Sequence, residues 1–172
     1  MRCCFILLLI ISVGCVNKLK DIEASYPDKS INDYGSDMQI NYYLKGNLEF
    51  QLIAPEIEII TSPEEKSIFE KGIKIFVYNQ ELDTIATISA DFAIQNKDQD
   101  LVEVRKNVIL NNLNEEELVT EKLFWNRESK TIYTDDFVTL HTKNQIIMGF
   151  GFTSDQYFST YSLSNITGTI YL

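Results

Sequence analysis

Few residues of this chain could take part directly in catalysis or bind a metal ion. His141 is the only histidine, and a single imidazole supplies neither a metal cluster nor a serine–histidine pair, so we expect it to be solvated or capping. Two carboxylate pairs, Asp98 with Asp100 and Asp135 with Asp136, are of the kind that glycoside hydrolysis uses as acid and base. We expect turn and surface roles for both pairs, because no acidic residue alternates inward on an aromatic-lined strand. The sequence therefore predicts no catalytic residue, no metal site and no cofactor.

The three cysteines all lie near the N-terminus, at positions 3, 4 and 15. The rest of the chain therefore has no disulfide, no thiolate nucleophile and no cysteine-based metal site. The apolar run that contains them ends near Val16, so at fourteen residues it is shorter than the roughly 17–25 residues of a membrane-spanning helix. It fits the apolar region of a secretory signal, and the small residue before Cys15 predicts cleavage there and lipidation of its sulfur. The alternative is a short N-terminal anchor that is not cleaved.

Three segments follow from this interpretation. Residues 1–14 are a signal peptide or short anchor, residues 15–36 a polar linker carrying the lipid, and residues 37–172 a single folded domain. Either form of the N-terminus would hold the domain at a membrane outside the cytoplasm.

The overall charge limits the choice of partners. The net charge is −10 over 172 residues and the pI is near 4.5, so the surface repels nucleic acid. Nucleic acid is therefore excluded as a partner, and the charge itself is ordinary for a solvated exported domain.

From Asp37 onward the hydrophobic pattern has period two and turn signals recur every 8–12 residues or so, which is typical of an all-β sandwich or roll. We expect about fifteen short strands. A shift of thirty positions superimposes residues 87–110 on residues 117–140 without a gap, which indicates stacked hairpin repeats. Small residues recur at the predicted bends, each three positions before an apolar residue: Ala54 before Ile57, Ala90 before Ala93, Thr120 before Leu123 and Gly149 before Phe152.

The alternation also predicts which side chains face the interior of the roll. They are the apolar members of four strands, and for each of them simple core packing is the competing interpretation: Leu48, Phe50, Leu52, Ile73, Ile75, Val102, Val104, Val108, Leu110, Ile132, Val138 and Leu140.

Four segments in order carry a resemblance to a known family: YYLKGNLEFQLIAPEIEI, FEKGIKIFVYNQELDTIATISADFA, LVTEKLFWNRESKTIYTDDFVTLHTKNQIIMGFGFTSD and YFSTYSLSNITGTI. With their bends of small–x–x–apolar pattern, they resemble the OstA-like β-jellyroll family of lipopolysaccharide transport, and their order is similar to that of its LptC group. Well-known members of this group keep a transmembrane helix, whereas this chain has the signal of a lipoprotein.

The resemblance implies a twisted antiparallel β-jellyroll that is not an enzyme. Its interior would bind the acyl chains of lipopolysaccharide, received from an inner-membrane ABC transporter and handed to a periplasmic LptA-like jellyroll protein. The inward residues above would contact lipid, and the last strands would form the edge on which the next protein docks, with Phe158, Tyr161, Leu163 and Ile170 as candidates. The expected location is the periplasm, at the inner membrane.

Two other functions stay open. A jellyroll whose interior is fully packed would join partners through its edge strands as a structural adaptor and carry no lipid. A carbohydrate-active lipoprotein would need paired carboxylates facing inward.

Overall fold

The computed structural model describes residues 32–61 and 64–172. Its eleven strands lie in one antiparallel sheet. They are β1 (Asn32–Leu44), β2 (Asn47–Ile60), β3 (Lys66–Phe69), β4 (Ile73–Tyr78), β5 (Thr84–Ala90), β6 (Phe92–Asn96), β7 (Leu101–Asn112), β8 (Glu117–Asn126), β9 (Thr131–His141), β10 (Gln145–Asp155) and β11 (Tyr161–Tyr171). The predicted all-β jellyroll class is confirmed. In the described residues, no helix is long and apolar enough to span a membrane.

The sheet is a series of neighbouring antiparallel strands that splits once along its length. β1 pairs with β2, and the first half of β2 continues through β4 and β5 to the second half of β7. The second half of β2 continues instead through β3 and β6 to the first half of β7. β8, β9, β10 and β11 then follow in order.

The long strands bend near their middles, and we call the line of bends the crease. It is marked by Pro55 in β2, Gly72 and Asp91 at the corners between short strands, and register shifts in β7, β8, β9 and β10. Gly72 has φ of 90°, a conformation that L side chains rarely adopt. The crease divides the sheet into a first leaf, which contains β3 and β6, and a second leaf, which contains β4 and β5.

The crease explains the bends predicted from the sequence. All eight residues of the four small–x–x–apolar pairs are buried. In a regular strand, residues three positions apart point to opposite faces. Both residues of each pair can face inward because a bend with an extra residue turns the strand over between them. The small first residue leaves room for the two leaves to approach.

The described residues form eleven strands and not the expected fifteen or so, because most bends do not end a strand. Pro55, for example, lies at a bend, yet β2 runs through it. The pairing of β2 with β4 ends at Ile53, and its pairing with β3 begins at Glu58. Pro55, which has no N–H to donate, lies in the gap between these two pairings. β1 also begins at Asn32, five residues before the predicted domain start at Asp37.

One apolar core lies between the two leaves. Its largest fully buried side chains come from both of them, and they include Phe69, Phe152, Leu110, Leu118, Leu123, Ile132 and Leu140. The alternation of buried and half-buried positions in β7, β8 and β9 is the period-two pattern of a sheet with one core face.

Candidate functional site

The predicted inward residues come together between the leaves. Eleven of the twelve are at most 7% exposed, and Leu48 is half-buried at the start of β2. The first leaf supplies Val102, Val104 and Ile132, and the second leaf supplies Phe50, Leu52, Ile73, Ile75, Val108, Leu110, Val138 and Leu140. Eleven of these side chains thus lie in one interior, and their contact with lipid stays a prediction.

Polar groups are scarce in this interior. Across residues 32–61 and 64–172, the buried polar side chains are Ser67, Thr120, Thr134, Ser154 and Gln156, none of which is charged. Asp98, Asp100 and Asp135 are exposed and Asp136 is half-buried at the crease. Within the same residues, no cluster of His, Cys, Asp and Glu is arranged to hold a metal ion. The interior therefore suits an apolar ligand or a packed core.

The free ends of the two leaves meet opposite the crease, and we call this line of turns the mouth. One set of contacts across it is aromatic. Phe50 of the second leaf meets Trp125 of the first leaf edge-on, with ring centroids 4.8 Å apart. Tyr42 stacks on Phe50 at 4.6 Å, and the Arg127 guanidinium lies 5.6 Å from the centre of the Tyr42 ring. The ammonium of Lys130 lies 3.5 Å from the Glu49 carboxylate, so this part of the mouth is closed by a mixture of apolar and ionic contacts.

A second set of contacts closes the mouth at the turn between β10 and β11. Phe158 in this turn is fully buried despite a φ of 51°, which is rare for an aromatic residue. Its ring centroid lies 5.7 Å from that of Phe152 and 5.2 Å from that of Tyr161. Its carbonyl accepts a hydrogen bond from Asn112 Nδ2 at 2.8 Å. The turn thus inserts an aromatic ring between the leaves.

Tyr161 provides a further polar link across the mouth. Its hydroxyl donates to Glu116 Oε1 at 2.9 Å, and Asn112 Nδ2 donates to the other oxygen of the same carboxylate at 2.7 Å. Burial, together with the hydrogen bond to the anionic Glu116, raises the pKa of Tyr161 to about 12. The phenol therefore remains a donor at any physiological pH.

Asp155 organises the β10–β11 turn. Its carboxylate accepts hydrogen bonds from the backbone N–H groups of Tyr157, Ser159 and Thr160 and from two hydroxyls, at 2.6–3.2 Å. Partial burial works against ionisation, but the hydrogen bonds from Ser159, Thr160 and Tyr157 outweigh it and lower the pKa of Asp155 from 3.8 to about 2. The ionised carboxylate is therefore what holds the turn in place.

Replacing Asp155 by asparagine is expected to lower the free energy of unfolding at pH 7 by about 1–2 kcal/mol, less than the full pKa shift implies because solvent reaches part of the carboxylate. A carboxylate with a lowered folded pKa stabilises the fold above its unfolded pKa and loses that contribution as pH falls toward the folded value. The difference between wild type and variant should therefore shrink from pH 3.8 to about 2. Denaturant unfolding across pH 2–7 measures it, with the exposed turn residue Asp98→Asn as control. A difference that stays constant down to pH 2 would contradict the assignment.

β1 and β11 are the two edge strands of the sheet. In the part of the chain that the structure describes, β1 pairs with β2 alone and β11 with β10 alone. Of the candidates for a partner edge, Tyr161 and Leu163 are half-buried against the core and Ile170 is 50% exposed. Phe158, although buried, lies outside this edge, in the turn before it. An unpaired edge strand offers backbone donors and acceptors to another strand.

Trp125, Phe152 and Arg127 were not among the predicted site residues. The contact between Trp125 and Phe50 joins strands far apart in sequence, and local patterns carry no signal for such a contact. Cys15, the predicted signal peptide and most of the predicted linker lie outside the described residues.

Comparison with known proteins identifies a family. No curated protein matches the chain. The family described as lipopolysaccharide-assembly, LptC-related, matches residues 4–171, nearly the whole length. Membership implies a part in lipopolysaccharide transport, in a family of transport proteins and not of enzymes. On this match, the chain belongs to the LptC-related family of lipopolysaccharide-assembly proteins.

Proposed function

We propose that the domain binds the acyl chains of lipopolysaccharide between its two leaves and passes the molecule to a second jellyroll. The observation that carries this proposal is the uncharged apolar surface that both leaves present to each other. Transfer of acyl chains to such a surface contributes about 0.8 kcal/mol for each buried methylene. The net charge of −10 gives no general attraction for a phosphorylated lipid, so apolar burial has to supply the affinity.

The interior is filled by the protein's own side chains, so acyl chains require the mouth to part. The links that hold it are few: two aromatic clusters, the Lys130–Glu49 pair and the hydrogen bonds of Asn112 and Tyr161. The crease, with its bulges and its positive-φ glycine, is where the leaves would rotate. When the leaves part, Phe50 and Phe158 lose contacts across the mouth and gain contacts with lipid. The apolar surface therefore stays shielded from water.

The proposed route has three parts besides the interior. The domain receives lipopolysaccharide from an inner-membrane ABC transporter, and the exposed edge of β11 pairs with a periplasmic LptA-like jellyroll. A lipid on Cys15, or a short N-terminal anchor, holds it at the inner membrane in the periplasm. The support for the docking step is the unpaired edge of β11, and the support for the anchor is the leader sequence.

The tight packing of the interior favours a second candidate, a structural adaptor. In that case the buried residues would serve only stability, and the edges of β1 and β11 would join two partners. The transport pathway is the same, but the domain would never contact the lipid.

Photo-crosslinking separates the two candidates. A photoreactive amino acid is placed at Phe50, Val104 or Leu140, which face the interior, and at Phe137 as a matched control on the outer face, where it is 43% exposed. The transfer role predicts adducts with lipopolysaccharide in cells from the interior positions and few from Phe137. Failure of all three interior positions to capture lipopolysaccharide would exclude the transfer role and leave the adaptor.

A further inference from the structure

A narrow cleft at the mouth contains two buried donors that have no acceptor. It has a volume of about 160 Å³, and its lining includes Phe50 and Trp125 together with the charged residues Glu49, Asp100, Arg127, Glu128 and Lys130. Within the described residues, Trp125 Nε1 and Arg127 Nε are the buried side-chain donors with no hydrogen-bond partner. Trp125 is only 4% exposed. Buried donors are nearly always satisfied, so two of them in neighbouring positions of one cleft indicate an acceptor that arrives with a ligand.

The charges of the cleft restrict what that acceptor can be. Three carboxylates and two cations line it, which gives a net charge of −1. Both cations are already engaged, because Arg127 pairs with Asp100 and Lys130 lies 3.5 Å from Glu49. A phosphate would meet the three carboxylates without a free cation to offset them. The acceptor is therefore neutral.

The surroundings indicate what this neutral acceptor is attached to. Phe50 and Trp125 form the floor of the cleft and also the edge of the apolar interior, whereas Arg127, Glu128 and Lys130 belong to the turn that faces solvent. A ligand that fits has an apolar chain inside, a neutral carbonyl at the boundary and a polar body outside. Acyl chains joined to a sugar through ester or amide bonds have this order of groups.

We propose that this cleft binds the ester and amide carbonyl oxygens through which the acyl chains of lipopolysaccharide are joined to its sugars, with Trp125 Nε1 and Arg127 Nε as donors. The inference rests on the proposed function and adds a specificity determinant to it. It also explains why a tryptophan occupies a position where a phenylalanine would pack without leaving a donor unsatisfied.

The single tryptophan of the chain allows a test on the unmodified protein. One indole N–H resonance is followed by NMR in the full chain while lipid A with natural ester and amide linkages is added. The expected result is a downfield shift on binding, with little change when a synthetic lipid A carrying ether-linked chains is added. Enzymatically dephosphorylated lipid A should give the same shift as the phosphorylated form. An indole signal that responds alike to the ester and ether lipids, or only when phosphate is present, would overturn the proposal.

Trp125→Phe provides the second readout. It keeps an aromatic floor and removes the donor, so the Kd for ester-linked lipid A should rise about tenfold, the size of one lost hydrogen bond, and the Kd for the ether-linked lipid should not change. Arg127→Lys removes the second proposed donor and is expected to raise the same Kd. Its control is Arg105→Lys, which alters an outer arginine whose Nε already donates to Glu103 at 2.6 Å. Equal weakening of both lipids by Trp125→Phe would assign the indole to packing alone.

These outcomes distinguish failure of the proposed function from failure of the proposed cleft. If the wild-type protein binds neither lipid, both proposals fail. If it binds both lipids and the indole signal does not respond, the transfer role stands and only the role of the cleft is rejected.

Discussion

Replacing Phe152 by alanine is expected to lower the free energy of unfolding by about 3–5 kcal/mol, the usual range for a buried phenylalanine. Phe152 is 1% exposed and lies just beyond the crease on β10. Its ring centroid is 5.7 Å from that of Phe158 and 6.0 Å from that of Tyr161, so the variant removes the support of the turn that closes the mouth as well as part of the core. Denaturant unfolding measures the loss.

Phe150 provides a matched control two residues away on the same strand. It is 46% exposed and stacks edge-on against Phe137 on the outer face, with ring centroids 5.2 Å apart. Phe150→Ala should cost less than about 1 kcal/mol. Similar losses for the two variants would mean that the strand does not change its inward face at the crease.

The two phenylalanines also show what the sequence can and cannot specify. In a regular strand, residues two apart point to the same face, yet Phe150 faces outward and Phe152 inward. Gly151 between them has φ of 77°, and the pairing to β9 shifts there. The spacing of Gly149 and Phe152 indicates a bend, because the same small–x–x–apolar pattern occurs at three other corners. This spacing does not show that the strand continues through the bend. The number of strands expected from the sequence is therefore too high.

The faces of regular strand segments were predictable because each depends on neighbours in sequence. Val102 and Val104, or Val108 and Leu110, face the core by simple alternation, and the thirty-residue repeat carries the same pattern to Ile132, Val138 and Leu140. Burial of Phe158 was not predictable in this way. It depends on a turn that folds across the mouth, tied by Asp155 within the turn and by Asn112 from another strand pair.

The aromatic and ionic contacts of the mouth could not be predicted from the sequence either. Phe50 and Trp125 meet because two leaves close on each other, and nothing near either residue in the sequence specifies the partner. The unsatisfied donors of the cleft follow from that closure. The residues of the proposed cleft therefore lie where the two leaves meet, which the sequence does not specify, whereas the all-β fold is readable from the alternation and the repeat.

Replacing Gly149 by alanine is expected to destabilise the protein by about 1–3 kcal/mol, the range for forcing extra volume into a packed site. A Cβ at Gly149 would lie 2.5 Å from the backbone oxygen of Asn165 on β11. A backbone oxygen cannot swing aside as a side chain does, so β11 has to move away from β10. Gly168→Ala is the control, because its Cβ would meet only the flexible end of Met148, at 3.1 Å, and it should cost less than about 1 kcal/mol.

The strand that Gly149→Ala destabilises matters as much as the size of the loss in stability. Among the described strands β11 forms its backbone ladder with β10 alone, so strain at Gly149 should loosen the edge strand before it loosens the core. Hydrogen exchange in Gly149→Ala should be faster at the amides of β11 and nearly unchanged in β7 and β8. Since β11 is also the edge proposed to pair with the next jellyroll, the same variant should weaken that pairing while leaving the interior able to capture lipid. If β11 keeps its wild-type protection while partner pairing is lost, the edge of β11 is not what limits docking, and β1 becomes the edge to test.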